Sequence, residues 1–278
     1  MTPPVPAPPV AAGPETQSPV AEDFWRDLRG STQARIGLGR TGDALPTTDV
    51  LALRAAHAAA RDAVHLPLDV ATLTEHIAAL GLGTPVSVAS RAADRAEYLR
   101  RPDLGRVPDD LTPVTATDAD IGFVLADGLS PLALSEHAPD LLAALATELG
   151  DRYTMAPPVI ATQARVALGD HIAEAMGVRT VLVLIGERPG LSVADSLGIY
   201  LTHLPRPGRA DAERNCISNI HPPDGLAYAD AARVVAGLIA GARALGRSGV
   251  DLKDTSRTDS LTAAETLTVD APTQAPTR

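Results

Sequence analysis

The sequence predicts an α/β chain in which a mainly helical N-terminal region precedes a doubly wound, mostly parallel sheet. Three observations carry this. Two short apolar runs, IGFVLADG (121–128) and TVLVLIG (180–186), each give way to a loop, as strands buried on both faces do. Segments with apolar residues at helical spacing alternate with these runs, which argues for parallel strands joined by helices. The first third of the chain shows the helical period without comparable apolar runs.

Taken in order, residues 1–21 are rich in Pro, Ala and Thr and are expected to form a disordered tail, because proline removes backbone donors and blocks helix. EDFWRDLRG (22–30) reads as a short helix, and STQARIGLGRTGDALPT (31–47) as a Gly-rich loop. Thr48 is the expected N-cap of a helix carrying Val50, Leu53, Ala56, Ala60 and Val64 on one face. A second helix is expected near Val70–Leu80, and a third near Val88–Arg101, stopped by Pro102. After the 121–128 strand, Leu134, Leu141, Leu142 and Leu145 mark a helix, and PPVIA (157–161) a strand. Helices are expected over Val166–Met176, around Ser192–His203 and over Leu226–Leu245. The expected organisation is a helical domain over 22–112, a Rossmann-like domain over 113–254, and a polar, disordered tail over 255–278.

Composition narrows the function. The formal charge is −10, from 34 acidic against 24 basic residues, with no Lys/Arg block, so nucleic-acid binding is not expected. The single cysteine, Cys216, excludes an intrachain disulfide. No basic n-region or apolar h-region opens the chain, and no apolar run is long enough to span a bilayer, so a cytoplasmic protein is expected.

The motifs are weak one by one. Gly37, Gly39 and Gly42 spell G-x-G-x-x-G, but no apolar strand precedes them and Pro46 breaks the segment after them, so the dinucleotide reading fails. Glu187 and Arg188 come directly after the strand TVLVLIG, where ligands gather in open α/β sheets; they either recognise a ligand or satisfy loop backbone. Asp127 ends another strand in the same way and is a candidate to share a crevice with Glu187. Cys216 sits in the polar segment ERNCISNIHPPDG, expected to be a loop. It is either a small apolar packing residue or a nucleophile served by His221. The seven histidines show no metal spacing, and no G-x-S-x-G elbow is present. No catalytic set and no metal ligands are expected. From the residues alone the reading ends at an α/β ligand-binding protein.

Six segments taken together say more. RGSTQARIGLGRTGDALPT (29–47), YLRRPDLGR (98–106), FVLADGLS (123–130), GDHIAEAMGV (169–178), VLIGERPGLSVADSLGIYL (183–201) and ERNCISNIHPPDGL (213–226) resemble, in order, the small (light) subunit of ethanolamine ammonia-lyase. The resemblance covers about residues 23–254, with LIGERPGL and CISNIH its most specific parts. It implies an adenosylcobalamin-dependent ammonia-lyase that turns ethanolamine into acetaldehyde and ammonia by a radical route. It further implies that this chain is inactive alone and covers part of the cobalamin at its interface with a large catalytic subunit, in a hetero-oligomer. By motif position it makes Val166, Glu187 and Cys216 cobalamin contacts. No histidine here has an Asp two positions before it, so the D-x-H-x-x-G lower ligand of many mutases is missing, and the cofactor is expected to keep its own benzimidazole. Family members can carry amphipathic N-terminal signals for bacterial microcompartments. The Pro-rich start cannot form one, so either targeting is absent or the large subunit carries it; the expectation is cytoplasm, with a microcompartment as the alternative. Two other functions stand beside this one: an independent hydrolase using Cys216 and His221, and a non-catalytic scaffold.

Overall fold

A computed structural model describes residues 19–254; the sequence before Pro19 and the 255–278 tail lie outside the described residues. Six strands form one sheet in the order β1-β3-β2-β4-β5-β6. These are β1 (Val86–Ala89), β2 (Ile121–Ala126), β3 (Val159–Thr162), β4 (Thr180–Gly186), β5 (Leu197–His203) and β6 (Asn215–Ile220). The first four neighbours pair in parallel, whereas β4–β5 and β5–β6 are antiparallel. The expected mostly parallel α/β sheet is therefore present, extended on one side by an antiparallel pair.

Alternation along the strands sorts side chains onto two faces. Phe123, Leu125, Leu182, Leu184, Ile199 and Leu201 pack under α3 (Val70–Ala78), α5 (Pro131–Leu149) and α7 (Tyr228–Leu245). Val124, Ala161, Val181 and Val183 pack under α6 (Leu168–Met176) on the other face. Helices thus cover both faces, and every residue of β2 and β4 is buried. That burial explains why those two runs are legible as strands. The helix α5 starts as its sequence suggests: Ser130 caps it by accepting from the Ala133 N–H, and Pro131 occupies the first turn.

Several elements differ from expectation. Val86–Ala89 is the edge strand β1, not helix, and pairs with β3. The helix expected over Val88–Arg101 shrinks to α4 (Arg95–Arg100), fixed by the Asp94 cap on the Glu97 N–H and stopped ahead of Pro102. The segment around Ser192–His203, expected to be helix, contains β5, because LGIYLTH carries period-2 alternation with Leu197, Ile199 and Leu201 all inward. The expected polar loop around Cys216 contains β6, which is polar because an edge strand has one side and one face open to water. The helix α2 (Thr47–His65) starts one residue before the expected Thr48 cap, with Pro46 at the cap position and no side-chain cap bond. Leading into it, α1 (Pro19–Arg29) lies against the Gly-rich loop: the Trp25 ring covers Gly37, whose positive φ of 59° no β-branched residue would adopt. The G-x-G-x-x-G match is thus a turn that opens no helix on a strand, as its context implied.

Candidate ligand-binding site

The chain passes from β2 to β3 on one side and then returns to β4 on the other, so the loops after β3 and β4 diverge beyond the end of β2. Such a switch point opens a crevice at the carboxyl ends of parallel strands. A cleft with about 680 Å³ of empty space lies here. Gly128 and Leu129 line it from the loop after β2, Arg165 and Val166 from the loop after β3, and Gly186, Glu187 and Arg188 from the end of β4. Tyr98 and Tyr200 close its sides.

Glu187 is the first residue past β4. Its backbone N–H donates to the Ser196 carbonyl at 2.9 Å. Its Oε2 accepts from the Ser196 hydroxyl at 2.6 Å and from the Asn219 N–H at 3.2 Å. The carboxylate lies tight against Gly198, where an added Cβ would meet Oε1 at 2.9 Å. One carboxylate oxygen is therefore tied to the β5 and β6 side, while Oε1 has no hydrogen bond among the described residues.

Cys216 lies on β6 directly opposite Tyr200 of β5, and their side chains share the face on which α6 lies. As an edge residue Cys216 is exposed, yet its thiol sits beside the Tyr200 hydroxyl. Burial pushes the thiol up from its ordinary pKa and the Glu187 charge adds to this, against the pull of the Tyr200 hydrogen bond. Burial, with Cys216 and Glu187 nearby, pushes the Tyr200 hydroxyl up to about 12. His221 lies five residues further on, buried, with Nε2 paired to the Asn219 Oδ1 at 2.9 Å. No hydrogen bond links it to Cys216 among the described residues, so a nucleophile–base pair is not assembled. Thiolate formation should reflect this. Iodoacetamide alkylation of Cys216 is expected to titrate with a midpoint above the ~8.5 of a free cysteine. A midpoint below that value would restore the hydrolase reading.

Asp127 does not share the cleft with Glu187. It is buried beneath it, accepting from the Gln163 N–H at 2.8 Å, the Ala164 N–H at 2.9 Å and Arg95 Nη1 at 3.3 Å. Burial raises its pKa; the two N–H groups and the Arg95 charge oppose that rise. Its effect is to shape the loop that carries Arg165 and Val166. Val166 itself precedes α6 rather than lying within a helix.

A buried ion pair ties the two sides together. Arg214, just before β6, meets Asp170 of α6 with bonds of 2.8 and 2.6 Å, and Nη1 also reaches the Thr202 hydroxyl at 2.9 Å. Both side chains are 1% exposed. Val166 and Glu187 thus line one cleft, and Cys216 adjoins it through Tyr200. Tyr98, Arg165 and Tyr200 are lining residues that sequence reasoning does not find. Tyr200 stays hidden because its strand reads as helix.

The protein-family model "Ethanolamine ammonia-lyase light chain (EutC)" matches residues 22–253. The chain belongs to the ethanolamine ammonia-lyase light-chain family. An ethanolamine ammonia-lyase small subunit of Rhodococcus erythropolis is 67% identical, over 92% of this chain and 99% of its own length. Small subunits of the same name from Ralstonia nicotianae and Rhodopseudomonas palustris are 46% and 48% identical, over 90% and 87% of this chain and 95% and 94% of their own lengths. The match spans every segment that carried the resemblance, and membership of this family makes the chain part of a lyase. Among the described residues no helix is long and apolar enough to cross a membrane, and no group of three or more His, Cys, Asp and Glu side chains is placed to hold a metal ion.

Proposed function

We propose that this chain binds adenosylcobalamin along the cleft and the adjoining β5–β6 face, at its interface with the large subunit of an ethanolamine ammonia-lyase. The chain is inactive alone and works in a hetero-oligomer. The observation that carries the reading is the convergence of Val166 and Glu187 on one cleft, with Cys216 beside it through Tyr200. The residues present suit a corrinoid. Its rim of amide groups offers donors to the free Glu187 Oε1 and acceptors to cationic side chains, and its apolar edge suits Val166, Leu129 and the Cys216 thiol. The open cleft would hold one side of so large a molecule, leaving the other to a partner.

When bound, adenosylcobalamin supplies the radical route from ethanolamine to acetaldehyde and ammonia. The chain's own residues hold and shield. Glu187 accepts from amide N–H groups, with Ser196 and Asn219 keeping its carboxylate from swinging into the solvent. Tyr200 and Cys216, both protonated at neutral pH, add packing surface without charge. Cytoplasmic or microcompartment placement belongs to the same reading, and nothing in the cleft depends on which holds.

Replacing Glu187 with Ala in the complex reassembled with the large subunit should weaken adenosylcobalamin binding about 10- to 100-fold. That is the range for losing a hydrogen bond to a charged group, ~1.5–3 kcal/mol. Spectral titration reads it directly, and an affinity equal to wild type would remove Glu187 from the site. Glu187→Gln, which keeps an acceptor oxygen, should lose less.

A further inference from the structure

Arg165 stands out within the cleft. Its guanidinium carbon lies 4.6 Å from the centroid of the Tyr98 ring, and the Arg95 guanidinium lies 4.8 Å from the same ring. Arg95 is answered by Asp127, whereas Arg165 has no carboxylate partner among the described residues. Its Nε is buried and has no hydrogen bond among the described residues. Buried donors are almost always paired, so an unpaired one in a cleft wall calls for an acceptor from outside the chain.

The placement of Arg165 is over-determined. Its backbone N–H donates to the Gly105 carbonyl at 2.8 Å, and an added Cβ on Gly105 would meet both the Tyr98 ring and the Arg165 Cγ. The Tyr98 hydroxyl donates to the Ala164 carbonyl at 2.9 Å. Asp127 holds the N–H groups of Gln163 and Ala164 and thereby fixes Gln163 at a positive φ of 52°. A non-glycine residue held in that region signals a loop fixed by its surroundings. Four hydrogen bonds thus fix the loop that carries this cation, whose guanidinium makes no hydrogen bond among the described residues.

We propose that Arg165 is a further ligand-contacting residue of the cleft, donating to an oxygen acceptor of the bound corrinoid, and that Asp127 is the positioning residue that holds it there. The inference rests on the corrinoid reading above and adds to it a donor anchor beside the acceptor Glu187. Two oxygens of the ligand share the required chemistry: an amide carbonyl on the corrin rim and the phosphodiester of the nucleotide loop. Guanidinium suits either.

The test is spectral titration of the complex of this chain with the large subunit, using adenosylcobalamin and adenosylcobinamide, which lacks the phosphodiester. Arg165→Met should weaken adenosylcobalamin binding about 10- to 100-fold, with Arg165→Lys in between. If Arg165 engages the phosphodiester, adenosylcobinamide binding is unchanged by Arg165→Met; if it engages a rim amide, both ligands weaken. Asp127→Asn should also weaken binding, and the double variant Asp127→Asn/Arg165→Met should be no weaker than Arg165→Met alone. A merely structural Asp127 would instead give additive losses. Should Asp127→Asn fail to fold, Tyr98→Phe, which frees the Ala164 carbonyl but keeps the ring, carries the same non-additivity test. Wild-type complex that binds adenosylcobalamin no better than the Arg165→Met complex overturns the inference and leaves the corrinoid reading intact. Wild-type complex that binds neither corrinoid overturns that reading itself.

Discussion

Replacing Arg214 with Met should destabilise the fold by about 3–5 kcal/mol, the cost of leaving a buried charge without its partner. Asp170 is 1% exposed and would lose the guanidinium that, among the described residues, alone answers both its carboxylate oxygens. For a domain of this size the loss corresponds to a fall in melting temperature of about 6–20 °C. The double variant Asp170→Leu/Arg214→Met should recover most of it, because a buried ion pair replaced by apolar volume is often neutral. Thermal unfolding of the purified chain checks both. A single variant that melts within about 2 °C of wild type would show that the pair is not holding the fold. The consequence reaches the site. Asp170 lies on the helix entered from Val166, and Arg214 leads into the strand of Cys216, so the pair braces two of the expected contacts against each other across Thr202.

The second large effect is expected at Gly186. An added Cβ there would run into the Ser130 carbonyl and crowd the Asp127 carbonyl at 2.8 Å. Neither is the end of a flexible side chain. Both belong to the turn that joins β2 to α5, where Gly128 needs its own positive φ of 54° to pass under the end of β4. Gly186→Ala should therefore cost about 3 kcal/mol, at the upper end of overpacking penalties, by forcing two backbone segments apart. Because those segments floor the cleft, adenosylcobalamin affinity of the complex should fall as well. Denaturant unfolding that places the variant within about 0.5 kcal/mol of wild type would refute the close approach.

How much is readable from sequence differs from element to element for physical reasons. TVLVLIG and IGFVLA announce themselves because both faces are buried and nearly every residue must be apolar. LGIYLTH reads as helix instead of strand. Tyr200, Thr202 and Gly198 lie on the face that holds the cleft, so its apolar period is carried by only three residues. NCISNI hides for a related cause: an edge strand with one side and one face open has little reason to be hydrophobic. Glu187 is found by position, at the end of an unmistakable strand. Arg165, Tyr98 and the supporting role of Asp127 are not, because nothing in the sequence links residues 95, 98, 127 and 165 until the loops after β2 and β3 meet.

The sequence by itself determined the α/β class, the two central strands, the family and the three residues proposed to touch the cofactor. All of these rest on local pattern: runs of apolar side chains, and motifs whose identity survives without coordinates. Only the tertiary structure decided that Val166 and Glu187 share a cleft, that Cys216 faces Tyr200 rather than His221, and that Asp127 lies beneath the site instead of in it. Those facts depend on strand order and register, which hydrogen bonding between distant segments sets and no local pattern encodes.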